Sequence, residues 1–115
     1  MNIDDFSFHD SEILEVRETS SDQTIDFLLE FPTNWEKNIF EKRILRFKDV
    51  INYHIDEIPF VGRPTILQII NLGQKIKTFG VGRNQFETLR NIIEIQTNAG
   101  NRIIQFSDCE LITPK

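Results

Sequence analysis

From position 24 the chain reads TIDFLLEF, so that Ile25, Phe27, Leu29 and Phe31 alternate with Asp26, Leu28 and Glu30. Successive side chains of a strand point to opposite faces, so this period of two specifies a β-strand with one buried face. Such a strand needs neighbours and a second layer to cover its apolar face. The preceding EILEVRE puts Leu14 and Val16 on one face and is joined to it by TSSDQT, a run of turn formers. An antiparallel hairpin is expected there.

The same reading extends along the chain. Pro32 and Asn34 interrupt the alternation, which resumes in FEKRILRFKDVINYHIDEI as one long strand or two strands bent near Lys48 and Asp49. Pro59, Gly62 and Pro64 then mark a connection. TILQIINL has spacing compatible with a short helix, but its β-branched content favours a strand. RNQFETLRN has Phe86, Leu89 and Arg90 at a spacing that allows a helical turn or two. NIIEIQTNAGNRIIQFSD reads as a hairpin turning at Asn98-Ala99-Gly100-Asn101, with Ile93 and Ile95 facing Ile104 and Phe106. The sum is an all-β chain, an antiparallel β-sandwich or partly open barrel of about six strands with at most one short helix. An α+β arrangement, with 64–73 or 83–91 as a helix on the sheet, is the alternative. At 115 residues one domain spanning 1–115 is expected.

Charge is unevenly distributed. Residues 1–31 hold nine acids against the single base Arg17, whereas residues 32–115 hold nine acids and twelve bases, which together give the net −5. That balance argues against general nucleic-acid binding, which needs clustered Lys and Arg, and KRILRFK at 42–48 reads as the charged outer side of a strand. If the first third forms adjacent strands, Asp4, Asp5, Glu12, Glu15 and Glu18 offer a negative surface to a basic protein, with Trp35 near the Pro32 corner either an exposed aromatic contact or a buried corner plug. No membrane association is expected, because no apolar run approaches a bilayer span and MNIDDF has no signal character; cytoplasm is the default.

Candidate chemistry centres on His9-Asp10-Ser11-Glu12. A His-Asp phosphohydrolase site needs further His and Asp ligands, and the chain has only one other histidine. Adjacent strand residues point apart, which disfavours a Ser-His-Asp triad. If HDSE meets HIDE at 54–57, then His9, Asp10, Glu12, His54 and Asp56 could bind a divalent transition metal. The plainer reading makes Asp10 or Ser11 a turn residue and Asp56 a solvated strand end. FGVGRN lacks the third glycine of a dinucleotide fingerprint, and Cys109 between Asp108 and Glu110 reads as structural.

The patterns FHDSEILEV, IDFLLEF, LRFKDVINY and IIEIQTNAGNRIIQFSDCELI together resemble a group of small bacterial β-rich domains, some of them similar to the immunity proteins of polymorphic toxin systems. The resemblance spans most of the chain and rests on apolar patterns plus one short His-Asp-Ser/Ala-type signature. It implies a cytoplasmic protein that binds and neutralises a cognate toxin, and it supplies no catalytic residues. A protein-binding domain without a cofactor is therefore the leading expectation. A small-ligand or divalent-metal-binding β domain is the alternative, and a metal-dependent hydrolase comes behind it. Oligomeric state is open, since an exposed edge strand would permit dimerisation.

Overall fold

A computed structural model describes residues 1–114 as eight strands in two four-stranded antiparallel sheets. The strands are β1 (Glu12–Thr19), β2 (Thr24–Asn34), β3 (Ile39–Lys48), β4 (Asn52–Glu57), β5 (Ile66–Phe79), β6 (Phe86–Thr97), β7 (Gly100–Phe106) and β8 (Asp108–Ile112). The first sheet has the order β1-β2-β3-β8 and the second β4-β7-β6-β5. The all-β sandwich-like class is as the alternation implies. Eight strands replace the expected six, partly because β3 and β4 are separate strands in different sheets and β8 adds a short edge.

The chain changes sheets near Lys48 and Asp49, where the sequence suggested a bend. Asp49 takes a left-handed φ of 52°, the Val50 N–H donates to the Gln23 carbonyl, and the Ile51 N–H donates to the Gln105 carbonyl of the other sheet. Pro32 does not end β2, which continues to Asn34. The reason is local: β1 pairs with β2 only as far as Glu30, so the side of Pro32 away from β3 has no strand to receive an N–H.

Among the described residues helix in the second half is confined to a 3-10 turn at Gly82–Asn84, and Phe86–Thr97 is strand throughout, which corrects the helical reading of RNQFETLRN. A helix there would break the six register pairs that Phe86 to Asn91 make with β5. β5 itself runs through Gly73 to Phe79, with bulges at 66/68 and 71/73. In the β6-β7 hairpin Ile93 faces Ile104 as expected, but Ile95 faces Arg102 and Phe106 faces Asn91, because the two-residue turn is Asn98-Ala99.

The inward residues of the two sheets form one core. Phe27, Leu29, Leu45 and Phe47 come from the first sheet, and Ile66, Ile93, Ile95, Ile104 and Phe106 from the second. Ile3, Phe8, Ile13, Ile25 and Cys109 complete it. Phe47 meets Phe106 edge-on at 4.8 Å and Phe27 at 5.7 Å, the tilted geometry that aromatic quadrupoles favour. One side of the sandwich is stitched by backbone bonds from 10–13 to the start of β5: the Asp10 N–H to the Ile66 carbonyl, the Ile66 N–H to the Ser11 carbonyl, and the Ile13 N–H to the Pro64 carbonyl.

Candidate functional site

The HDSE segment forms the corner at which β1 begins, and each member does something different. Asp10 adopts a left-handed φ of 69°, tolerable for an aspartate in a tight turn. That turn swings Ser11 into the interior, where its hydroxyl is fully buried without a hydrogen-bond partner. His9 stays on the surface and closes a gap in the β5 edge. The bulge between Ile66 and Gln68 leaves Leu67 as an extra residue, and His9 Nδ1 donates to its carbonyl at 2.8 Å. A carbonyl can only accept, so Nδ1 carries the proton, and Nε2 lies 3.4 Å from Asp10 Oδ1.

His9 in turn fixes an exposed aromatic. The Trp35 ring meets it edge-on at 5.8 Å while remaining 55% exposed. Trp35 opens the turn after β2, which is held by Lys37 N–H donating to Asn34 Oδ1 and by the positive φ of Asn38. His9 also lines a cleft of about 280 Å³ together with Asp4, Phe6, Leu67 and Ile69 among others. Asp4 belongs to a short 3-10 turn, Ile3–Asp5, capped by Asn2, and accepts from Asn71 Nδ2 at 3.1 Å. The edge of the sandwich near HDSE therefore carries Phe6, His9 and Trp35 among Asp4, Asp5, Asp10 and Glu12. The facing cation is Arg63, 4.0 Å from Glu12.

The remaining acids of the first third sit differently. Glu15 and Glu18 lie farther along β1, where Glu15 pairs with Arg17 and Glu18 accepts from the Ser20 hydroxyl. Across the outer face of the first sheet, Arg17, Asp26, Arg46 and Glu110 stand in register on four successive strands with alternating charge. Arg46 binds Asp26 through two hydrogen bonds of 2.8 and 2.9 Å. This bidentate contact raises the Arg46 pKa further. The outer face is thus cross-neutralised by bases on β3, while around HDSE the Lys or Arg contact among the described residues is the long one from Arg63 to Glu12.

The postulated metal set does not assemble. His54 and Asp56 lie on β4 and His9 is bonded to β5, and these strands are opposite edges of the second sheet. Three strand spacings separate them, about 14 Å. Among the described residues no group of three or more His, Cys, Asp or Glu is placed to hold a metal ion. His54 and Asp56 do share a face, but it is the solvent face. Cys109 is buried and its thiol is pushed up to about 11 by that burial, far from a reactive thiolate.

One polar cluster between the sheets escaped the sequence reading. Arg102 donates to both Glu57 carboxylate oxygens, at 3.1 and 2.8 Å, and to the Tyr53 hydroxyl at 3.0 Å. The Thr97 hydroxyl also bonds Glu57 and receives the Ala99 and Gly100 N–H groups of the hairpin turn. Burial opposes the guanidinium charge, yet the Glu57 and Tyr53 contacts outweigh it and raise the Arg102 pKa; burial raises that of Tyr53 as well. The cluster ties β4, β6 and β7 together. Its signal was parity: Arg102 lies two residues before Ile104 on an inward-facing series, where a charge demands a partner.

By fold this is an antiparallel two-sheet β-domain whose distinguishing surface is the acidic aromatic edge around HDSE. No family model, curated protein or solved structure matches the chain. Among the described residues no helix is long and apolar enough to cross a membrane.

Proposed function

We propose that the chain is a protein-binding domain of the inhibitor kind exemplified by bacterial toxin immunity proteins, and that it holds a basic protein partner against the edge formed by Phe6, His9 and Trp35. The observation that carries this reading is Trp35: a large aromatic, more than half exposed, is held in place by His9, which is itself pinned to the β5 backbone. A pre-set tryptophan loses little freedom on docking, and such residues dominate binding energy at interface centres. Asp4, Asp5, Asp10 and Glu12 around it supply long-range attraction, which raises the association rate of a basic partner. Glu15 and Glu18 extend that field along β1. A toxin is the partner class the sequence resemblance suggests, and the cytoplasm is the compartment in which it would be met.

The test is capture from lysate of the source cells with the tagged chain and with Trp35→Ala and Glu12→Lys variants. The expected outcome is one stoichiometric basic protein, released by high salt, lost from the tryptophan variant and weakened in the lysine variant. Equal capture by all three forms, or a partner indifferent to salt, would refute the assignment of this edge.

A further inference from the structure

The long β5-β6 hairpin leaves the sandwich. β6 pairs with β7 only from Asn91 onward, so residues 75–90 form a two-stranded ribbon with no third strand and no sheet opposite among the described residues. Ile76, Val81, Phe86 and Leu89 on it are exposed. The cross-strand register gives its two faces different chemistry. One face joins Lys75 to Arg90, Lys77 to Thr88 and Phe79 to Phe86, the last pair stacked at 5.5 Å with the Lys77 ammonium 5.2 Å from the Phe79 ring centre. That face has two aromatics, the cations Lys75 and Lys77 and no acid, while Arg90 at its base is turned back to the Asp49 carbonyl at 3.0 Å and Arg83 sits at the tip. Glu87 is on the opposite face with Thr78.

We propose that this arm docks on the acidic aromatic edge of a second copy of the chain, and that two copies exchange arms about a two-fold axis. The two surfaces are complementary: aromatics among cations on the arm, aromatics among Asp4, Asp5, Asp10 and Glu12 at the edge. Both lie on one strand, at opposite ends. His9 is bonded to Leu67 at the start of β5, and the arm is its far end, from about 27 Å away at Lys75 to about 40 Å at Phe79 along the strand at the usual rise. Two copies set antiparallel along β5 therefore bring each arm to the other's acidic edge in a single symmetric arrangement. Direct pairing of the two β5 edges about Ile76 is disfavoured, because it would set Lys75 of one copy against Lys77 of the other. The arm-to-edge contact depends on the preceding section only in treating that edge as a docking surface. It further means that a basic partner must displace the arm.

The experiment measures mass in solution by sedimentation and light scattering. Wild-type chain is expected at twice the 13.5 kDa monomer at low salt and at the monomer mass in about 1 M salt, where the Debye length shrinks to about 3 Å. A Lys75→Glu/Lys77→Glu variant and an Asp5→Lys/Glu12→Lys variant each place like charges at the contact, and each is expected to be monomeric while keeping the wild-type β-sheet circular dichroism and a cooperative thermal transition. Mixed, they restore both contacts and are expected to form a heterodimer. A monomeric wild type at low salt, a dimer that survives in either variant alone, or a mixture that stays monomeric overturns the proposal. The mixing experiment uses only this chain, so its result stands apart from the lysate capture. If the dimer forms and no basic protein is captured, the partner reading fails and the arm exchange stands.

Discussion

The sandwich body and the projecting arm are built from the same two strands, β5 and β6, yet they obey different rules. In the body, Ile93 and Ile95 of β6 are sealed under the first sheet; a few residues earlier on the same strand and face, Leu89 is half exposed opposite Ile76. The alternation does not change between the two places. What changes is the presence of a second layer, so an apolar residue in a strand records the capacity to be buried and the layer opposite decides whether it is. Phenylalanine makes the same point. Phe27 and Phe47 are sealed in the core, whereas Phe86 is exposed and stacks on a half-buried Phe79.

The comparison can be broken by substitution. Phe47→Ala in the body should cost about 3–5 kcal/mol through lost transfer energy and the cavity left behind. Phe86→Ala in the arm should cost less than about 1 kcal/mol, since little surface is withdrawn from water there; urea unfolding of both variants measures the contrast. Glu57→Ala should be of similar size, about 3–5 kcal/mol, because it leaves the Arg102 guanidinium buried and unpaired. Adding Arg102→Leu should recover much of that loss, and a double-mutant cycle reads the coupling.

Glycines sharpen the contrast at the next level. Both Gly100 and Gly73 have positive φ, of 146° and 90°. A Cβ on Gly100 would stand 2.3 Å from the Asp56 carbonyl oxygen, whereas one on Gly73 meets nothing within 4 Å. Gly100→Ala should therefore cost about 3 kcal/mol or more, and Gly73→Ala only the backbone term of about 1–2 kcal/mol. Thermal denaturation distinguishes them.

A smaller effect follows from Cys109. Its native thiol is raised to about 11 by burial, against an ordinary 9.0. Between those values the unfolded chain holds fewer protons than the native one, so stability falls as pH rises from about 9 towards 11. Cys109→Ser should flatten that slope, and the native thiol should react with a disulfide reagent only after unfolding. The smallest perturbation is a nick: trypsin should cut first after Arg83 in the arm, leaving the body folded, which mass spectrometry of a timed digest would show. First cleavage at Arg102 would contradict the ordering.

Much of this fold was legible in single residues. Ile25, Phe27, Leu29 and Phe31 announce β2, turn formers mark both hairpins, and Lys48-Asp49 locates the change of direction. Pro32 misled because a proline signals a missing N–H without saying whether any neighbour needs it. RNQFETLRN misled because Phe86, Leu89 and Arg90 have helical spacing, while twelve residues of cross-strand bonding to β5 impose a strand. At the candidate site, the acids and Trp35 stood out as residue types, but the contact of His9 with Trp35 could not be read, since the two meet only when the turn after β2 folds beside the start of β5.

The sequence by itself determined that the chain makes antiparallel strands and which face of each can be apolar, because side-chain parity is a property of the local backbone. It also determined the charge imbalance of the first third. The tertiary structure decided which acids are neutralised, because Arg46 reaches Asp26 only through strand pairing across twenty positions, and it parted His9 from His54 by placing β4 and β5 at opposite edges of one sheet. It decided, too, that β5 and β6 outrun their cover. Local preference fixes how a residue points, and only the arrangement of whole strands fixes what it points at.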